Sequence, residues 1–147
     1  MDMYSQSLHL DKRICGKIYV ESNKSLAKNA RIILIKSIKM FVNREGLIKP
    51  ILFKEDFSHF VKLSKIKPEN RTKLSFVLER DKAKIISNLA SVNRMSTHDF
   101  IRTMYFYYFA VPNPEQAEQV AIDFYNSIFS EQEIANSANN RIILDAI

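Results

Sequence analysis

The sequence predicts a mainly α-helical protein with a short antiparallel two-stranded β-ribbon. A chain of 147 residues makes one domain or two very small ones. With 2 Gly and 4 Pro, it has too few turn residues for a turn-rich β fold. Most apolar residues recur at helical spacing, whereas residues 73–78 alternate with the period of a strand. The composition, 46% hydrophobic and 26% charged, excludes a largely disordered chain.

Several classes of protein are excluded by what the sequence lacks. The single cysteine, Cys15, cannot form an internal disulfide or a cysteine zinc cluster, so a reducing, cytoplasmic location is expected. The longest apolar run, Met104–Val111, is far shorter than the ~20 residues that span a bilayer, and no secretory signal is recognised. His9, His59 and His98 lack the spacing of metal ligands, and there is no glycine-rich phosphate loop. We therefore expect no membrane partner, metal, cofactor or enzymatic activity.

The charge is distributed unevenly along the chain. The formal net charge is +6, and residues 1–73 hold 16 Lys+Arg against 7 Asp+Glu. Residues 74–147 hold 6 against 9, and the last part, 113–147, has one basic and six acidic residues. A concentrated basic surface attracts polyanions such as nucleic acid. The alternative interpretation is a lysine-rich face that is simply solvated.

The first long helix is predicted from Ser25 to Asn43, and Arg44-Glu45-Gly46 is a typical C-terminal stop. Its broad apolar stripe indicates packing on several sides. The stripe consists of Ala30, Ile32, Ile33, Leu34, Ile35, Ile38 and Phe41. Residues 47–70 are interpreted as a basic connector with a short helix. That helix holds Phe53, Phe57, Phe60 and Val61.

The segment from Lys73 to Leu78 predicts a strand of about six residues. One side of this strand carries Leu74, Phe76 and Leu78. A helical pattern follows, formed by Ile85, Ile86, Leu89 and Ala90. Ser96 is the predicted N-cap of the next helix, with Asp99 as a capping-box partner, and this helix continues to Val111.

Two further features lie within and after this helix. The aromatic block Tyr105–Phe109 is interpreted as core or interface rather than as a platform on which single-stranded bases stack. An amphipathic helix is predicted from Pro114 to about Ser130, with the proline at its first position. Its apolar face comprises Ala117, Val120, Ala121, Phe124 and Ile128.

A lone six-residue strand leaves its backbone unpaired and needs a partner strand. The strand, the two helices and the sequence Ser96–Arg102 together resemble the ribbon-helix-helix family, the Arc and MetJ class of DNA-binding proteins, over residues 71–111. The resemblance implies that two strands pair into a ribbon that enters the major groove of DNA. It also implies that Lys73, Ser75 and Val77 face the bases, while Leu74, Phe76 and Leu78 face the core. Ser96, Thr97 and His98 would then hold a phosphate at the helix N-terminus.

A second copy of this pattern is predicted near the amino terminus. Residues 7–11 alternate like a strand, 11–20 form a helix, 22–24 a turn, and Ser25 the next cap, 71 residues before Ser96. On this interpretation the chain resembles tandem, single-chain ribbon-helix-helix proteins such as accessory factors of conjugative relaxosomes. The outward residues of the first strand would be Ser5, Ser7 and His9, with Lys24 and Ser25 near the phosphate. The alternative places a strand at residues 17–20 and a homodimer ribbon at 73–78.

These interpretations divide the chain into a first repeat (1–46), a basic connector (47–70), a second repeat (71–112) and a C-terminal helix with an acidic tail (113–147). The predicted function is sequence-specific binding of double-stranded DNA, as a transcriptional regulator such as a repressor, or as an accessory factor in plasmid transfer or at a phage site. A homodimer or a higher assembly on DNA is compatible with this function. The alternative is a protein-interaction adaptor or an antitoxin that binds a protein partner through residues 104–130.

Overall fold

The computed structural model describes residues 3–20, 25–48 and 58–110, and this part of the chain is mostly helical. It contains a two-stranded antiparallel sheet and five α-helices. In chain order the elements are β1 (Met3–Asp11), α1 (Lys12–Val20), α2 (Leu26–Phe41), α3 (Ser58–Val61), β2 (Arg71–Glu79), α4 (Arg80–Val92) and α5 (Thr97–Ala110). Two short 3-10 turns, Leu63–Lys65 and Pro68–Asn70, lead into β2. The predicted helical fold with an antiparallel two-stranded ribbon is confirmed.

The ribbon pairs β1 with β2 over the whole length of both strands. Ser7 lies opposite Ser75 at the centre, and Met3 lies opposite Glu79 at one end. Each strand has 9 residues, more than the sequence pattern predicted. The alternation is retained, because the inward side chains are buried. These are Leu8, Leu10, Leu74, Phe76 and Leu78.

The alternative strand at residues 17–20 is wrong, because these residues belong to α1. Ile14 and Ile18, one turn apart on this helix, are both buried in the core. Asn29 at the start of α2 is also buried, and its Nδ2 donates to the carbonyl of Ile18 at 3.1 Å. The amide therefore satisfies a carbonyl at the C-terminal end of α1. Helix α1 has 9 residues, whereas the corresponding helix α4 has 13.

The order strand, helix, helix occurs twice in the described residues, and both halves contribute to one hydrophobic core. Helices α2 and α5 pack together at its centre. The Tyr105 hydroxyl donates to the carbonyl of Ala30 at 2.8 Å, and the Ser37 hydroxyl donates to the carbonyl of Met104. These two buried hydrogen bonds fix the position of α5 against α2.

The predicted apolar stripe of α2 is buried at most of its positions and partly buried at the other two. Ile33 and the residues Ala30, Leu34, Ile38 and Phe41 are buried, whereas Ile32 and Ile35 are half-buried. The helix ends at Phe41, two residues before the predicted end. Gly46, expected in the stop signal, lies in the following turn at φ 84°, where a residue without a side chain is favoured.

The aromatic block is core, as predicted, in its first half. Tyr105, Phe106 and Tyr107 are buried, while Tyr108 and Phe109 are half-buried. Burial raises the pKa of Tyr107 to about 12. The predicted helix at 114–130 and the tail after it lie outside the described residues. Among the helices that are described, none is long and apolar enough to span a bilayer.

Asp11 is the N-cap of α1. Its Oδ1 accepts from the backbone N–H of Arg13 at 2.8 Å, and both carboxylate oxygens accept from the Arg13 guanidinium. Burial by itself would raise the pKa of Asp11, but the side-chain and backbone hydrogen bonds from Arg13 outweigh it and lower the pKa below the usual 3.8. The ionised carboxylate therefore stabilises the fold.

We expect Asp11→Asn to reduce the free energy of unfolding by about 1 kcal/mol at pH 7, since Arg13 is half exposed and its attraction is screened. Asparagine still caps the helix, so the loss reports the ionic pair. Because the folded pKa is lowered, the contribution is full above pH 3.8 and disappears as the pH falls through the folded pKa. Urea unfolding of both proteins from pH 7 to pH 2 measures it. A difference that persists at the lowest pH would contradict the ionic explanation.

Candidate nucleic-acid interface

The outer face of the ribbon is a continuous exposed surface. The six side chains that the sequence predicted to point outward are all exposed, and these are Ser5, Ser7, His9, Lys73, Ser75 and Val77. The register pairs them directly across the two strands. Their order along the ribbon is Ser5 opposite Val77, Ser7 opposite Ser75, and His9 opposite Lys73. We call this set the outer ribbon face.

The outer ribbon face differs in chemistry from end to end. At the centre, the hydroxyl oxygens of Ser7 and Ser75 are 3.2 Å apart, so each can donate to or accept from a ligand above them. At one end, His9 lies directly opposite Lys73 in the register. The other end presents Val77, which is 46% exposed. The surface can therefore offer a charged donor, neutral hydroxyls and an apolar contact in a row.

Two exposed residues at the apolar end were not expected from the sequence. Met3 and Tyr4 are 40% and 43% exposed at the start of β1. The guanidinium of Arg80 lies 6.0 Å from the centre of the Tyr4 ring, within cation–π distance. The alternating pattern assigns Tyr4 to the inner face. It is exposed although its partner Leu78, at the same end of the ribbon, is buried.

The N-termini of α2 and α5 have the same local structure. Ser25 caps α2, and its Oγ accepts from the N–H of Lys28 at 3.3 Å. Ser96 caps α5, and its Oγ accepts from the N–H of Asp99 at 3.1 Å. Lys24, the predicted neighbour of Ser25, lies outside the described residues. Both serines are exposed, so both helix ends are accessible to an anion.

The first turn of α5 carries the other two predicted phosphate ligands. His98 is exposed and Thr97 is half-buried. The first N–H groups of a helix lack an intrahelical acceptor, and the helix dipole adds partial positive charge there. In α5 the first intrahelical donor is the N–H of Phe100, which bonds the Ser96 carbonyl at 2.9 Å. The N–H groups of Thr97 and His98 precede it and point out of the helix end.

Arg102, in the sequence motif after Ser96, has a role that the sequence did not indicate. It is 4% exposed, and its guanidinium bonds three different elements. Its Nε donates to the carbonyl of Val61 at 3.0 Å, and its Nη1 donates to the carbonyl of His9 at 2.8 Å. Its Nη2 pairs with the carboxylate of Asp99. Arg102 therefore joins α3 and α5 to the strand that carries half of the outer ribbon face.

Within residues 3–20, 25–48 and 58–110, no group of three or more His, Cys, Asp or Glu side chains could hold a metal ion. Cys15 is half-buried, and burial raises the pKa of its thiol, so the thiolate is disfavoured. Comparison of the chain with protein-family models, curated proteins and solved structures finds no match. Function is therefore inferred from the outer ribbon face and the two helix ends.

Proposed function

We propose that this protein binds double-stranded DNA in a sequence-specific manner, as a tandem ribbon-helix-helix protein whose single chain supplies both strands of the ribbon. The observation that carries the proposal is the outer ribbon face, which is solvent-exposed along a two-stranded antiparallel ribbon whose other face is buried. The major groove of B-DNA, about 12 Å wide, admits a two-stranded ribbon. Such a protein acts as a transcriptional regulator or as an accessory factor at a plasmid-transfer or phage site.

The side chains on the outer ribbon face suit different bases. The Lys73 ammonium donates to the O6 and N7 atoms of guanine, and the serine hydroxyls bond either kind of base edge. Val77 contacts the methyl group of thymine. Since β1 presents Ser5, Ser7 and His9 where β2 presents Lys73, Ser75 and Val77, the two halves of the ribbon read different bases. We therefore expect a target site that is not palindromic, because operator symmetry mirrors protein symmetry.

The helix ends supply the sequence-independent part of the binding. The N-termini of α2 and α5 are capped by exposed serines and carry N–H groups suited to phosphate oxygens. The basic residues concentrated in the first half of the chain add attraction for the DNA backbone. Affinity then depends steeply on salt, with several phosphates neutralised. An affinity that changes little with salt would contradict phosphate binding.

The test uses the full chain with Lys73→Ala and Ser75→Ala combined, on a duplex selected from a random pool by the unmodified protein. Each base contact contributes about 1–3 kcal/mol to discrimination, so affinity for the selected duplex should fall at least about tenfold. Affinity for an unrelated duplex should change much less. Fluorescence anisotropy titrations against both duplexes give the specificity ratio.

The matched control is Lys39→Ala combined with Ser87→Ala. It removes the same two side-chain types from exposed positions on α2 and α4, away from the ribbon. We expect this control to keep the ratio of specific to non-specific affinity. If the ribbon variant keeps that ratio as well, the outer ribbon face does not read bases and the proposal is wrong.

A further inference from the structure

A groove opens on one side of the molecule, between α2, the end of β2 and the start of α4. Its volume is about 330 Å³. Six residues line it, and all of them are half-buried or exposed. These are Arg31, Ile32, Ile35, Lys36, Glu79 and Lys82. We call it the α2–α4 groove.

The same place on the opposite side of the molecule is filled. The two halves of the chain can be matched through the centre of the ribbon, where Ser7 lies opposite Ser75. Each residue of β1 and α1 then corresponds to the residue of β2 and α4 that is 68 positions later. From Ser25 and Ser96 onward, α2 and α5 correspond 71 positions apart. The counterparts of the groove residues are Asp11, Ile14, Arg102, Thr103, Phe106 and Tyr107, and every one of them is buried.

Helix α3 covers part of this set, at Phe106 and Arg102. The ring of Phe60 stacks on that of Phe106, with centroids 5.0 Å apart. The carbonyl of Val61 accepts from Arg102, and Val61 is itself buried. Helix α3 is the next helix described after α2, and it packs against α5 and β1. Because α5 corresponds to α2, the segment that follows α5 corresponds to the one that contains α3. This segment is therefore the one that would reach the α2–α4 groove.

The chemistry of that segment matches the groove. The groove combines three basic side chains and one carboxylate with the apolar surface of Ile32 and Ile35. Residues 114–130 contain three acidic residues and no basic residue, and their pattern predicts an amphipathic helix. On the covered side, the positions that correspond to Lys36 and Lys82 are Tyr107 and Ile14. The positive charges of Lys36 and Lys82 therefore occur only on the groove side, which is the side that the acidic segment would reach.

We propose that residues 114–130 of the same chain dock in the α2–α4 groove, with their apolar face on Ile32 and Ile35 and their carboxylates near Arg31, Lys36 and Lys82. This docking completes the core on the side that α3 does not cover. It concerns the C-terminal segment rather than the ribbon, and it holds whether or not the ribbon binds DNA.

The first test is cross-linking in the full chain with Cys15→Ser as the background. Ile35→Cys in the groove is combined with Phe124→Cys in the segment, and a short bis-maleimide is added at low protein concentration. The matched control replaces Ile35→Cys with Asn88→Cys, at an exposed position of α4. We expect the intramolecular product at Ile35→Cys to exceed that at Asn88→Cys at least tenfold. Equal yields, or products that are mainly cross-linked dimers, would overturn docking within one chain.

The second test measures access to the groove without a cross-link. The rate at which a soluble maleimide labels Ile35→Cys is measured in the Cys15→Ser background. It is compared between this protein, the protein that also carries Val120→Ser and Phe124→Ser, and the protein that also carries Asp145→Asn. The rate should rise at least fivefold when the apolar face is removed, while Asp145→Asn, beyond the segment, should leave it unchanged. A rate that is the same in all three proteins means that the segment does not cover the groove.

Discussion

Replacing Arg102 with methionine is expected to reduce the free energy of unfolding by about 3 kcal/mol or more. Methionine fills much of the space, but it leaves the carbonyls of Val61 and His9 without their donor in a buried site. An unsatisfied buried acceptor costs about 1–3 kcal/mol, and here two are created together. Urea unfolding followed by circular dichroism measures the loss as a shift of the midpoint.

Arg31 provides the matched control for this substitution. It occupies the corresponding position on α2, 71 residues earlier, but it is half-buried and lines the α2–α4 groove. Arg31→Met is expected to change stability by less than about 1 kcal/mol, because an ion pair of a partly exposed arginine contributes about 0–1 kcal/mol even where the docked segment supplies the carboxylate. Equal midpoints for the two variants would show that the guanidinium of Arg102 does not hold the ribbon to α3 and α5.

The contrast between these two arginines shows what sequence patterns cannot predict. Arg102 and Arg31 occupy matching places in two similar helices, and the local difference is that Asp99 stands three residues before Arg102 where Lys28 stands before Arg31. The burial of Arg102 depends on α3, which covers one side of the molecule and belongs to a distant part of the chain. Val61 of α3 accepts a hydrogen bond from Arg102. A periodic pattern records which face of a helix is apolar, but not which other segment lies on that face.

The ribbon and the helix caps were predictable because their signals are local. Alternation at Leu74, Phe76 and Leu78 identifies a half-buried strand, and a serine before an apolar run identifies a cap. The alternating pattern at residues 7–11 predicts a shorter strand than β1, although Ser5 was already expected among its outward residues. Met3, Tyr4 and Gln6 belong to the strand because β2 pairs with them, and the pattern at 7–11 does not indicate this.

Substitutions of the adjacent residues Phe76 and Val77 are expected to reduce stability by very different amounts, because the strand points the two side chains to opposite faces. Phe76 is 3% exposed, so Phe76→Ala should reduce the free energy of unfolding by about 3–5 kcal/mol. Val77→Ala removes a half-exposed side chain and should cost less than about 1 kcal/mol. Urea midpoints distinguish the two variants directly, and similar midpoints would contradict the buried inner face of the ribbon.

The same pair separates folding from recognition. If Val77 contacts a thymine methyl group, Val77→Ala should weaken binding to the selected duplex about three- to tenfold while the protein stays folded. A duplex with uracil in place of the contacted thymine lacks that methyl group, and on it the variant and the unmodified protein should bind alike. Since only the methyl differs between the two duplexes, a loss of affinity that persists on uracil would place the effect of Val77 outside base contact. An equal affinity on both duplexes for the unmodified protein would exclude the methyl contact itself.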